Sequence, residues 1–232
     1  LKTGRRVEMN KNLNDLLADI EWQMSGVEIE SESFRRIEDG LKDFQKKVDP
    51  AIYRIGRRLV HTTADFAIVD DLGWNYDPVA AGLDALRDKA SIYCDSSMIR
   101  SGISLARLRS VNSAYTPEDV HCLVADPQVV KEAGERGQAR SLVAVEKAKD
   151  IIDGGIVLIG NAPLALAGII RLLVEENIRP RLIIGMPVGF VHVIESKELV
   201  MATEIPQVVI KGRRGGSSLA VATLHAIIES LV

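Results

Sequence analysis

Aromatic residues make up only 4% of this 232-residue chain. Its core must therefore be assembled from Ile, Val, Leu and Ala, side chains that suit buried parallel strands covered by helices. Cysteine is equally scarce. Cys94 and Cys122 are the only two, each on an apolar run, and no CxxC or Cys/His spacing accompanies them. That argues against a zinc site and for buried free thiols in a reducing compartment. A basic excess is missing too: the net charge is -3. The chain is therefore not expected to bind nucleic acid, and any anion site must be a local cluster of Lys and Arg. No apolar run reaches the roughly 18 residues of a membrane span. Leu1 to Arg6 contain no apolar stretch of the kind that opens a signal peptide, so the cytoplasm is the expected location. Repeats, low-complexity segments, GxxxxGK[ST], GxSxG, HExxH and a dinucleotide fingerprint are all lacking.

What is present is an α/β pattern. Hydrophobic residues reach 47%, enough for one large domain. Residues 1–29 read as a polar lead-in and 30–232 as a single domain. Phe34, Ile37, Leu41 and Phe44 recur at helical spacing, with Ser31 or Ser33 as the expected N-cap. A second helix is expected after Asp49-Pro50, carrying Ile52, Ile55, Leu59 and Val60 and ending near His61-Thr62-Thr63. Beyond it, short apolar runs alternate with amphipathic segments. Strands are expected at 66–69, 91–94, 121–125, 156–160, 182–186 and 207–211, the first as an edge element or only a loop. Helices are expected at 77–88, 97–107, 127–136, 140–152, 162–177, 194–201 and 216–231. This alternation predicts a mainly parallel central sheet of about five strands with crossover helices.

In such a sheet, ligands bind outside the carboxyl ends of the strands. The residues expected there are small or polar. Asp95 follows one strand and can cap the next helix or meet a substrate. Asp126-Pro127 has a sufficient structural role as N-cap and first helical residue. Gly134 to Ser141 break one helix and open another, and Arg140 there can meet a carboxylate through two hydrogen bonds. Gly160-Asn161-Ala162-Pro163 combine close backbone approach with a helix start. Pro187-Val188-Gly189-Phe190 form a stiff, partly apolar loop, followed by Ser196 and Lys197 on a helix first turn. Lys211 to Ser218 bring three cations and several glycines to a helix start, the strongest local anion signal in the chain. Among the histidines, His121 and His225 read as packing residues and His192 is ambiguous. His61 closes a helix whose dipole favours the imidazolium form, which marks it as a candidate catalyst.

Taken in order, these segments resemble the precorrin-8X methylmutase family. They are Glu30-Ser31-Glu32-Ser33-Phe34-Arg35, then Val60-His61-Thr62-Thr63-Ala64-Asp65-Phe66, then Asp95 with Met98 and Gly102-Ile103. Gly137 with Arg140-Ser141 follows, and then Ile159 to Pro163. Ile184-Gly185-Met186-Pro187-Val188-Gly189-Phe190-Val191 and Glu195-Ser196-Lys197 form the most specific stretch. Lys211-Gly212-Arg213-Arg214-Gly215-Gly216-Ser217 closes the series. The resemblance covers about residue 30 to the C-terminus. Ala139 and Leu164 depart from it, each standing where the family often has Thr.

The resemblance implies a three-layer flavodoxin-like fold, a homodimer and an isomerase of cobalamin biosynthesis. The implied reaction moves a methyl group from C-11 to C-12 of precorrin-8X or cobalt-precorrin-8. No cofactor is implied, and any cobalt belongs to the substrate. His61 matches the family's histidine, which is held to protonate or hydrogen-bond the macrocycle. Substrate contacts are implied for Ser33, Arg35, Thr63, Asp95, Arg140, Ser141, Asn161, Pro187, Gly189, Phe190, Ser196, Lys197, Arg213, Gly215, Gly216 and Ser217. A corrin precursor is a broad apolar disc edged with carboxylates. Pro187 to Phe190 would meet its face, and Arg140, Lys197, Lys211 and Arg213 its rim. Two rival readings stand beside this one: a corrinoid carrier without turnover, and a phosphate- or nucleotide-binding flavodoxin-like module resting on residues 211–218.

Overall fold

The computed structural model describes residues 13–231. Its strands are β1 (Leu72–Asn75), β2 (Ile92–Cys94), β3 (Val120–His121), β4 (Ile156–Ile159), β5 (Leu182–Gly185) and β6 (Gln207–Ile210). The first helices are α1 (Leu13–Ala18), α2 (Gly26–Gly40), α3 (Lys42–Gln45), α4 (Pro50–Thr63) and α5 (Pro78–Arg87). Then come α6 (Ser97–Gly102), α7 (Leu105–Val111), α8 (Pro127–Arg136), α9 (Arg140–Lys147) and α10 (Lys149–Ile152). The last are α11 (Pro163–Glu176), α12 (Val193–Met201) and α13 (Ser217–Glu229). None of these helices is long and apolar enough to cross a membrane.

The six strands form one sheet in the order β1-β6-β5-β4-β2-β3, antiparallel only at β1. Without that edge strand, the five parallel strands take the doubly wound order of flavodoxin-like folds. Successive strand residues face opposite layers. Ile156, Leu158, Leu182, Ile184, Val208 and Ile210 pack with α4, α5 and α13 in one core. Val157, Ile159, Ile183 and Val209 pack with α11 residues in the other. Because both faces are covered, the strands read as continuous aliphatic runs.

Element boundaries depart from the expected ones in several places, and 66–69 takes the loop alternative. The run at 66–69 is a 3-10 turn (Phe66–Asp71), because Asp65 accepts the Ala67 N–H at 2.9 Å and Ile68 turns into the core. The edge strand follows it, so the sheet has six strands. α2 starts at Gly26, inside the expected lead-in, because Ser25 and Glu28 form a reciprocal capping box. Ser33 is therefore mid-helix, its hydroxyl donating to the Ile29 carbonyl at 2.8 Å. The expected helix 97–107 is two helices, since Ser104 starts α7 with its own cap. Asp49-Pro50 and Asp126-Pro127 start α4 and α8 as the sequence predicts.

Candidate active site

The carboxyl ends of the parallel strands meet at one sheet edge. β1 runs the other way, so its leading residues reach the same edge, and Lys211 donates its N–H to the Asp71 carbonyl at 2.8 Å. The end of α4, with His61 to Asp65, joins them: Arg214 of the β6–α13 loop pairs with Asp65 and with Asp71, the latter at 3.2 Å.

Asp95 organises the switch point between β2 and β4. Its carboxylate is 2% exposed and accepts the N–H groups of Gly160, Asn161 and Ala162 at 3.0, 2.8 and 2.6 Å. Burial pushes this carboxyl up, against the pull of those three donors. The expected cap role on the next helix belongs instead to Ser96, which accepts the Ile99 N–H. Asp95 caps across the sheet and is turned inward.

The β4, β5 and β6 loops touch backbone to backbone. A Cβ on Gly160 would lie 2.6 Å from the Ser217 Cα, and one on Gly215 would lie 2.3 Å from the Met186 carbonyl oxygen. Only glycine fits at either place. The Gly216 N–H donates to Met186 at 2.8 Å, and the Ser96 and Ser217 hydroxyls share a hydrogen bond of 2.9 Å.

Lys197 holds the same loop from below. Its ammonium donates to the Gly212 and Arg214 carbonyls at 2.9 and 2.7 Å, and the residue is 2% exposed. Burial pulls its pKa down to about 8, with Asp71 opposing. The expectation of a free cation for a substrate carboxylate is corrected here: the charge is spent on the loop. Ser196 is also buried, its hydroxyl on the Val193 carbonyl at 2.9 Å. The anion cradle expected at 211–218 is corrected for the same reason. Arg214 is paired, the Gly216 N–H is used and Ser217 is bonded, so Lys211 and Arg213 are the cations that stay exposed there.

His61 lines a cavity of about 370 Å³ with Arg58, Thr62, Met98, Gly102, Ser217, Ser218, Val221, Ala222 and His225. The Phe34 ring stacks on the imidazole with centroids 4.8 Å apart, and the guanidinium groups of Arg57 and Arg58 lie 4.4 and 4.9 Å from that same Phe34 ring. No described residue hydrogen-bonds the His61 ring nitrogens, so the ring is oriented by stacking and both nitrogens are free for a ligand.

Two parts of this site escaped the sequence reading. His225, expected to be packing, lines the His61 cavity. Its Nε2 accepts the Ser104 N–H at 3.1 Å, which places the neutral ring's proton on Nδ1. Burial pulls its pKa down to about 4, assisted by Arg107 and Arg58 and opposed by Glu229. Arg58 and Arg107 share the Glu229 carboxylate in an adjoining cavity, also of about 370 Å³. Helical periodicity on α4 and α13 could place these residues on faces but could not pair the faces.

Other expected contacts fall farther out. Arg35 points to solvent and pairs with Glu32 at 2.7 Å and Asp39 at 3.7 Å. The Thr63 hydroxyl donates to the Leu59 carbonyl at 2.9 Å. Arg140 and Ser141 open α9, which packs on α11 across the sheet from His61. Pro187 is buried, Gly189 is half-buried and Asn161 is exposed. Phe190 is 88% exposed and Met98 70%, and with Val188, Val191 and Leu164 they make an apolar rim along this edge. Larger cavities lie elsewhere: two, of about 670 and 560 Å³, lie along β1 and include none of the expected site residues, and one of about 490 Å³ beside α2 includes Arg35.

The sequence pattern of the precorrin-8X methylmutase family matches residues 28–230. A cobalt-precorrin-8 methylmutase of Methanocaldococcus jannaschii is 37% identical over 82% of this chain and 83% of its own length. A precorrin-8X methylmutase of Pseudomonas aeruginosa is 38% identical over 75% of this chain and 82% of its own. The solved precorrin-8X methylmutase of Thermus thermophilus superposes with a TM-score of 0.76 at 38% identity, covering 88% of this chain and 95% of that one. By pattern, identity and fold together, the chain belongs to the precorrin-8X methylmutase family.

Proposed function

We propose that the protein is the isomerase that moves a methyl group from C-11 to C-12 of precorrin-8X or cobalt-precorrin-8, with His61 as the catalytic group. The observation that carries this reading is the placement of His61. It stands in a cavity at the carboxyl edge of the sheet, its ring nitrogens unpartnered among the described residues and its plane set by Phe34.

The rearrangement conserves every atom of the substrate, so it asks for orientation and for a proton or hydrogen bond at the macrocycle. His61 supplies the second. The scaffold of Asp95, Gly160, Gly215, Ser217 and Lys197 supplies the first by fixing three loops against one another. The cavity alone is too small for a whole tetrapyrrole. It receives one edge of the disc, while Phe190, Val188, Met98 and Leu164 cover more of its face. Arg213 and Lys211 stand where rim carboxylates of the disc arrive, and Arg140 serves a disc that extends across the sheet edge. Ser33, Arg35 and Thr63 flank the Phe34–His61 pair, and Ser141 and Asn161 border the far side. The catalytic unit is residues 30–232, with the first turn of α2 entering from the lead-in. The protein works as a homodimer; exposed Leu13, Leu17, Trp22 and Val27 are apolar surface that a second copy would cover.

The test is incubation with enzymatically prepared precorrin-8X or its cobalt form, followed by separation of products. The expected product has the mass of the substrate and a changed visible spectrum. Arg213→Ala should weaken binding about tenfold, the worth of one exposed charge-assisted contact. Binding without conversion would favour a carrier, and an unchanged Arg213→Ala affinity would remove that contact.

A further inference from the structure

The two cysteines, distant in sequence, are brought together at the ends of β2 and β3. These strands are parallel, with Ile92 opposite Val120 and Tyr93 opposite His121. The next step along both chains sets Cys94 against Cys122. Adjacent strands lie about 4.8 Å apart, inside the Cα separation of roughly 4.4–6.8 Å that a disulfide spans. Both side chains point into the same core layer, Cys94 buried and Cys122 half-buried. The Cys94 thiol donates to the His121 carbonyl at 3.2 Å, which holds its sulfur at the β3 end beside Cys122. No cluster of three or more His, Cys, Asp or Glu side chains suited to a metal ion occurs among the described residues, so sulfur chemistry fits the pair better than metal binding.

We propose that Cys94 and Cys122 form a reversible dithiol–disulfide site, with Cys122 as the nucleophile toward a hydroperoxide and Cys94 as the resolving thiol. Their environments divide these roles. The neighbouring Cys94 thiol pulls Cys122 down to about 6, aided by the Val124 N–H and the Ser97 hydroxyl and opposed by burial. The same contact, with burial, pushes Cys94 up. Cys122 is the more accessible sulfur and the one whose thiol is lowered, so it is the readier nucleophile. It attacks one peroxide oxygen, the O–O bond breaks, and hydroxide or alkoxide leaves with Cys122 as sulfenic acid. The Cys94 sulfur then displaces that hydroxyl, its own proton leaves with the oxygen as water, and the S–S bond forms. The two electrons lost by the thiols reduce the peroxide, and an external dithiol reverses the change.

The experiment uses the full chain, reduced, freed of reductant and treated with stoichiometric hydrogen peroxide at neutral pH. Remaining thiols are trapped with N-ethylmaleimide under denaturing conditions before mass measurement. The expected result is loss of two hydrogens per chain, no maleimide adduct, and return of both thiols after dithiothreitol. In Cys94→Ala, Cys122 should stop at sulfenic acid and be trapped by dimedone. In the wild type, iodoacetamide should alkylate Cys122 with a midpoint near pH 6. Two free thiols after peroxide, oxidation of Cys122 to sulfinic acid with Cys94 intact, or a disulfide between two chains would each overturn the proposal. The wild-type outcome decides it even if the variant does not fold.

Discussion

Lys197 shows how a cation beside a candidate site can be committed to the scaffold. On the sequence it is a cation on a helix first turn beside a conspicuous loop. In the structure its ammonium is enclosed and holds two carbonyls of the β6–α13 loop. Lys197→Met should leave those carbonyls unsatisfied and cost about 2–4 kcal/mol, measurable by denaturant unfolding. It should also lower kcat/KM, because Arg213 and Gly215 lose their support. A wild-type midpoint in the variant would mean the loop holds itself. Such a role is not legible from sequence, because burial of a charge depends on which chain segments fold over it. Asp95 is similar: its place after a strand was readable, but its three N–H partners come from a loop more than sixty residues away.

Elements divide into those fixed locally and those fixed by packing. The starts of α4 and α8 were legible because Asp-Pro signals carry their own hydrogen bonds and backbone angles. The central strands were legible because burial on both faces leaves only aliphatic runs. The 66–69 segment was legible only as an edge strand or a loop, since four apolar residues suit either, and the Asp65 cap selects the turn. The expected helices 97–107 and 140–152 each divide in two for the same kind of reason: helical periodicity persists across the breaks at Ser104 and Ala148. Where elements meet, Gly215 is the sharper test. Gly215→Ala places a methyl against the Met186 and Pro187 carbonyls, 2.3 and 2.6 Å from the new Cβ. It should destabilise the fold by about 1–3 kcal/mol, as overpacking does, and depress turnover further by separating the β5 and β6 loops. Full activity would show that the two loops move independently. α13 adds a pH effect through His225, whose pKa falls from the ordinary 6.5 to about 4. Below 6.5 the unfolded chain takes up a proton that the folded chain refuses, so the stability His225 confers is lost as pH falls from 6.5 through 4. His225→Asn should flatten that part of the stability–pH curve, and an unchanged slope would assign the acid loss to other groups.

At the scale of the whole molecule, the doubly wound order puts the candidate site at the β2–β4 switch point and the antiparallel β1 brings the end of α4 to it. His61 was picked out by its helix-end position and by resemblance, and the fold places it in a cavity at the expected edge. Arg58, Arg107 and His225 were not picked out, because each becomes part of the site only when α4, α7 and α13 pack together. His61 presents a ring whose nitrogens have no hydrogen-bond partner among the described residues, on a scaffold where the buried Asp95 and Lys197 are already bonded to backbone. The proposed turnover therefore rests on His61. The most direct test is a visible spectrum of the wild type and His61→Ala, each incubated with precorrin-8X or its cobalt form. Both proteins should bind and only the wild type should convert, with turnover in the variant reduced by at least about a hundredfold. Conversion by His61→Ala at the wild-type rate would contradict it.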